Sequence, residues 1–190
     1  MCGIVGAIDL HAGQEPLEPA IIKRMLQAVR DRGPDATGVW LDPDGHVGLA
    51  NARLSTQDAR PIANQPLLDA EGSVVITLNG EIYNHGELRA ELAHQGFEFR
   101  TRSDTEVVVN AYKAYGAQML ERLEGQFAFV LYDLKTRQVL MARDPVGICP
   151  FYYALHGGRL WFASEPRALL PIPNLPQRLN RTALYQFLVL

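Results

Sequence analysis

The chain has 190 residues, a formal net charge of −3, 47% hydrophobic residues and 21% charged residues. That balance suits a globular domain with a sizeable core. There is no basic excess to attract nucleic acid and no apolar run near the ~18 residues a membrane span needs, so neither partner is expected.

Cys2 to Leu10 is rich in Ile and Val and alternates, which predicts a strand. Pro19 to Arg30 carries Ile21, Ile22, Met25, Leu26 and Val29 at helical spacing, and Gly33-Pro34 breaks it. Thr37–Leu41 and His46–Leu54 are predicted strands joined by Asp42-Pro43-Asp44-Gly45. The polar segment from Thr56 to Pro66 is a loop. Ser73 to Leu78 is a strand that ends at Asn79-Gly80, and His85 to Gln95 is a helix closed by Gly96. Ser103 and Glu106 fit a capping box that opens a helix through Tyr115, followed by a helical turn near Met119–Leu123. Strands are predicted at Gln126–Tyr132, Gln138–Arg143, Phe151–Leu155 and Leu160–Ala163. Strands at both ends with helices between them predict an α+β protein with mainly antiparallel sheets.

Pro171 to Pro176 reads as a linker, and Asn180 caps a helix ending on Phe-Leu-Val-Leu. The expected organisation is one domain over residues 1–170, then over 171–190 a linker and the start of a further domain. The other reading packs that last helix back on the domain. The N-terminus lacks the positive n-region and cleavage site of a signal peptide. The two cysteines, Cys2 and Cys149, make no disulfide framework, which favours a reducing, cytoplasmic compartment. The five histidines are scattered without ligand spacing, so no metal site is expected.

Candidate chemistry starts at Cys2. A small side chain at position 2 favours removal of Met1, which would leave a thiol beside a free α-amine of ordinary pKa about 7.7–8.0. Nucleophile and general base would then share one residue. Asn79-Gly80 has two readings. One is a type I′ hairpin turn; the other is an oxyanion hole made of the Asn79 side-chain amide and the Gly80 N–H. Arg53 reads either as a solvated arginine or as a bidentate clamp on a carboxylate. Asp104 reads either as a first-turn helix acid or as the partner of a substrate ammonium. Arg32-Gly33-Pro34-Asp35 reads as a helix-stop turn and Asp144-Pro145-Val146-Gly147 as a loop.

Several segments together resemble one family: MCGIVG at the start, RGPD at 32–35, RLS at 53–55, NGEIYN at 79–84, SDTEV at 103–107, FAFVLYD at 127–133, ARDPVGICPFYY at 142–153 and FASE at 162–165. In this order they are similar to the glutaminase domain of class II glutamine amidotransferases, above all that of glutamine-hydrolysing asparagine synthetases. NGEIYN and ARDPVGICPFYY favour that branch. The resemblance implies a four-layer αββα sandwich of the N-terminal-nucleophile hydrolase type. It implies Cys2 as nucleophile, Asn79 and Gly80 as the oxyanion hole, Arg53 holding the glutamine α-carboxylate, and Asp104, with Glu81 near it, holding the α-ammonium. The partners implied are L-glutamine and a C-terminal synthetase domain that uses ATP and magnesium; the glutaminase domain itself needs no cofactor. A homodimer is left open, as are another acceptor and a catalytically silent binding module. The chain departs from the family at Thr56 and Gln57, where relatives usually have apolar residues, at Pro145 and Val146, and at Cys149, where lysine is frequent.

Overall fold

The computed structural model describes residues 1–11 and 13–189; the last residue of the predicted terminal helix, Leu190, lies outside them. Among the described residues nine strands form two sheets: β1 (Gly3–Asp9), β2 (Ala36–Leu41), β3 (Val47–Arg53), β4 (Leu67–Leu68), β5 (Val74–Ile82), β6 (Gly125–Asp133), β7 (Gln138–Arg143), β8 (Tyr152–His156) and β9 (Arg159–Ala163). One sheet has the order β2-β3-β1-β9-β8 and the other β4-β5-β6-β7. Every strand pair is antiparallel. The helices are α1 (Pro19–Ala28), α2 (His85–His94), α3 (Asp104–Tyr115) and α4 (Arg181–Val189).

The layering follows from a period of two on the central strands. On β1, Ile4 and Ile8 face the other sheet, and Val5 and Ala7 face α1. On β3, Val47 and Leu49 take the inter-sheet face, and Ala50 and Ala52 the α1 face. On β6, Ala128, Val130 and Tyr132 point between the sheets, while Phe127, Phe129 and Leu131 pack under α2 and α3 with Leu88, Leu92, Val107 and Val108. Both faces of these strands are covered, so they read as near-continuous apolar runs. The result is α1, sheet, sheet, then α2 with α3: the expected four-layer αββα sandwich.

Beyond β9, Ala168, Leu169 and Ile172 are buried against α1 and its sheet, and Leu175 packs beside them. No residue of α4 is buried.

Two local expectations need correcting. β5 does not end at Asn79-Gly80; it runs on to Ile82, so there is no hairpin turn there. The reason is the partner strand: Asn79 pairs with Ala128, Gly80 with Phe127 and Glu81 with Gln126. Those ladder bonds outweigh the local preference of Asn-Gly for a turn. Gly80 accommodates the close approach with φ 142°, and a Cβ there would collide with the Gln126 carbonyl. Gly80→Ala is therefore expected to cost more than about 2 kcal/mol of stability in a denaturant titration. The capping box is also not closed. Ser103 Oγ accepts from Thr105 N at 3.1 Å, but the Glu106 carboxylate reaches past Ser103 to Arg100 N at 2.9 Å and Thr101 N at 2.7 Å. The Ser103 N–H is taken by Thr101 Oγ1 at 3.2 Å instead.

Candidate active site

Cys2 stands one residue before β1. Because β1 and β3 run antiparallel with Gly3 opposite Ala52, Cys2 falls beside the end of β3, where Arg53 and Leu54 lie. Leu54 N donates to Cys2 Sγ at 3.5 Å, and the thiol lies 3.8 Å from the Leu54 carbonyl. Burial pushes the Cys2 thiol above its ordinary value, against the pull of the Leu54 bond and the positive N-terminus. The thiolate is thus not formed in advance, and the group needs a base to act as a nucleophile.

Two motifs given no chemical role from sequence hold this residue. Arg32 Nε donates to the Cys2 carbonyl at 3.0 Å, and Arg32 pairs with Glu165 at 3.1 Å. Ser164 Oγ accepts from Ile4 N at 3.0 Å. The Arg-Gly-Pro-Asp turn and the Phe-Ala-Ser-Glu segment therefore meet at the N-terminus of β1. Gly33 is needed because a Cβ there would strike the Ala52 backbone. Asp35 accepts from Ser55 N at 2.7 Å and so fixes the chain just past Arg53.

Arg53 is buried. One of its N–H groups donates to Asn64 Oδ1 at 2.9 Å and another to the Asp58 carbonyl. A guanidinium has five N–H donors, so this anchoring leaves donors for a ligand carboxylate. Asp58 in turn grips Arg60 through Nε at 2.9 Å and accepts from Arg102 N at 2.8 Å. These bonds hold the Asp58 carboxyl well below the ordinary carboxylate range, with the Arg60 bond foremost. The same loop therefore ties the end of β3 to the segment that enters α3. Asp58 carried no sequence signal beyond its place after Arg-Leu-Ser.

Asp104 opens α3. Its Oδ2 accepts from Ile82 N at 3.0 Å, which fastens the helix to the end of β5. Burial raises its carboxyl above the ordinary value; the Ile82 bond opposes this, and the Glu81 charge adds to it. Glu81 Oε1 accepts from Thr56 Oγ1 at 2.7 Å, and Oε2 accepts from Gln57 Nε2. Gln57 Oε1 accepts from Asp104 N at 3.1 Å.

Cys2, Arg53, Gly80, Glu81 and Asp104 line one small hollow. Asn79 does not line it. It lies on the inter-sheet face of β5 with Thr77, which reaches across to the Ala50 carbonyl at 3.2 Å. Asn79 is 0% exposed, and neither amide atom has a hydrogen-bond partner. Nearby, Gln65 Oε1 accepts from Leu78 N at 2.6 Å and from Asn51 Nδ2 at 3.2 Å, while Asn51 Oδ1, like the Asn79 amide, has no partner. A buried amide without a partner is unusual in a packed protein.

A buried thiol, an arginine fork, two carboxylates and an idle amide are the parts needed to hold an amino acid and attack its side chain. A family profile described as "Glutamine amidotransferase domain" matches residues 1–190. The chain belongs to the glutamine amidotransferase domain family. It is 38% identical over 189 residues to asparagine synthetase [glutamine-hydrolyzing] 1 of Bacillus subtilis, covering 99% of this chain and 29% of that protein. It is also 38% identical over 186 residues to amidase chry2 of Gibberella zeae, covering 93% of this chain and 27% of the relative. The chain thus spans less than a third of the length of either relative. Among solved structures, the glutamine phosphoribosylpyrophosphate amidotransferase of B. subtilis superposes with a TM-score of 0.73 over 88% of this chain and 43% of its own. At 24% identity that match shows the fold alone, the layered sandwich described above. No helix of the described residues is long and apolar enough to cross a membrane.

Proposed function

We propose that this amidotransferase domain hydrolyses L-glutamine to glutamate and ammonia, as the glutaminase half of an asparagine-synthetase-like enzyme. The observation that carries the reading is the convergence of Cys2, Arg53, Gly80, Glu81 and Asp104 on one hollow from four separate places in the chain. Removal of Met1 would free the Cys2 α-amine. That amine takes the thiol proton as Sγ attacks the side-chain carboxamide carbon. The oxyanion is held by the Asn79 amide and the Gly80 N–H. The intermediate collapses to a thioester, and the proton held by the amine leaves with ammonia. Water then attacks the thioester, releases glutamate and restores the thiol. Arg53 holds the α-carboxylate through its free donors, and Asp104 and Glu81 hold the α-ammonium. No cofactor is required for these steps. A synthetase domain outside this chain, with ATP and magnesium, would consume the ammonia. Two unpaired cysteines, one of them the nucleophile, suit a reducing cytoplasmic setting.

A second reading keeps the glutaminase and changes the acceptor. What supports it is that a relative named as an amidase is as similar to the chain, at 38% identity, as one named as an asparagine synthetase.

The deciding experiment compares two samples, one with Met1 removed and one with Met1 retained, identified by N-terminal mass spectrometry. The processed chain is expected to release glutamate from glutamine, with kcat at least about 100-fold above the retained form, because the blocked amine cannot act as a base. Equal rates from the two samples would sink the proposed base.

A further inference from the structure

The hollow lined by Cys2, Arg53, Gly80, Glu81 and Asp104 encloses about 20 Å³. That is room for about one water and too little for an amino acid. Its groups are not simply facing an empty site. Both oxygens of the Glu81 carboxylate are engaged, one by Thr56 and the other by Gln57. The carboxamide of Gln57 also reaches the N–H of Asp104. It therefore spans the two acidic residues assigned above to the substrate ammonium. A second hollow of about 190 Å³, lined by Met1, Cys2, Leu54, Thr56, Gly80, Glu81 and Gln126, shares five of these walls. The Thr56–Glu81 bond is part of the partition between the two.

We propose that Gln57 is an internal plug for the ammonium end of the glutamine site, and that substrate binds by displacing it. The inference rests on the glutaminase reading above. Its chemistry is an exchange at the Glu81 carboxylate, while the contact of Gln57 with Asp104 is to the backbone N–H. The plug offers that carboxylate a neutral amide and a hydroxyl; a substrate α-ammonium offers a full positive charge, which adds a Coulombic attraction the neutral donors lack. The plug can move without breaking a strand, since Thr56 and Gln57 lie on the irregular segment after β3, with Thr56 exposed and Gln57 half-buried. Arg53 is held from the other side by Asn64 and Asp58, so its position does not depend on Gln57. A site that is open only part of the time binds with an affinity reduced by that fraction, so the plug raises KM and leaves the chemical step alone.

The test uses the chain with Met1 removed, in the parent, Gln57→Leu and Thr56→Val forms. Gln57→Leu is expected to lower KM for glutamine about 3- to 10-fold while kcat changes by less than about twofold; Thr56→Val is expected to move KM the same way by about twofold or more. Alkylation by iodoacetamide, mapped by mass spectrometry, supplies a readout that needs no turnover. Opening the plug is expected to speed labelling of Cys2 but not of Cys149, which is buried away from the hollow. A variant that merely loosens the fold would label both cysteines faster. If Gln57→Leu does so, Thr56→Val alone decides the matter. An unchanged or raised KM, or unchanged Cys2 labelling in a variant that keeps Cys149 protected, overturns the plug. If the processed parent does not hydrolyse glutamine at all, the glutaminase reading fails, and faster Cys2 labelling would still report the plug.

Discussion

Cys2→Ala is expected to lower kcat for glutamine hydrolysis by at least about 10⁴-fold, to background. The thiol is the only group lining the hollow that can form a thioester. Stability should change little. The side chain is small, and what it loses is a weak contact with Leu54. The thiol also has a pH signature. Burial raises its pKa, so the protonated form persists above the ordinary cysteine range. Alkylation of Cys2 should therefore be slow near neutral pH and accelerate only at more alkaline pH than for a free cysteine. A thiol that reacts fast at pH 7 without substrate would contradict the assigned base, because it would need none. Glutaminase activity that survives in Cys2→Ala would remove the mechanism altogether.

Asn79→Leu is expected to separate activity from stability. Losing one oxyanion donor costs about 100- to 1000-fold in kcat, with KM nearly unchanged. Ordinarily a polar-to-apolar change at a fully buried position is tolerated only when no partner is stranded. Here the Asn79 amide has no protein partner to strand. The free enzyme already carries the cost of a buried, unsatisfied amide, about 1–3 kcal/mol. A leucine of similar size should therefore leave the denaturation midpoint unchanged or raise it. The reverse outcome, full activity with a destabilised fold, would make Asn79 a structural residue. This pairing of lost rate with retained or increased stability is expected of a group kept for the transition state rather than for the fold.

From sequence, Asn-Gly after an apolar run is a strong hairpin signal, and the local rule is sound. It failed because β6 supplies Ala128, Phe127 and Gln126 as ladder partners some 45 residues along the chain, and a local window cannot see them. The oxyanion reading of the same two residues rests on chemistry; the extended strand puts Gly80 on the hollow with Cys2 and Asn79 on the inter-sheet face, off its lining. The capping box failed for a similar reason: Glu106 had nearer donors in Arg100 and Thr101 once the incoming segment folded over α3. Arg32, Glu165 and Ser164 could not have been assigned to Cys2 from spacing, since they lie 30, 163 and 162 positions away. Gln57 was visible only as an unexpected polar residue.

Residue type and local pattern determined the alternating faces of β1, β3 and β6, the helices at α1 and α3, and the chemical capacities of Cys2, Arg53, Asn79, Glu81 and Asp104. Those are short-range properties: a period of two or 3.6, and what a thiol, a guanidinium, an amide or a carboxylate can do. Tertiary structure alone decided which capacities share a site. The antiparallel pairing of β1 with β3 brings Cys2 to Arg53, and the Ile82–Asp104 bond brings α3 to the end of β5. It also decided that Gln57 bridges the Glu81 carboxylate and the Asp104 N–H, because hydrogen bonds between residues far apart in sequence exist only once the chain has closed on itself.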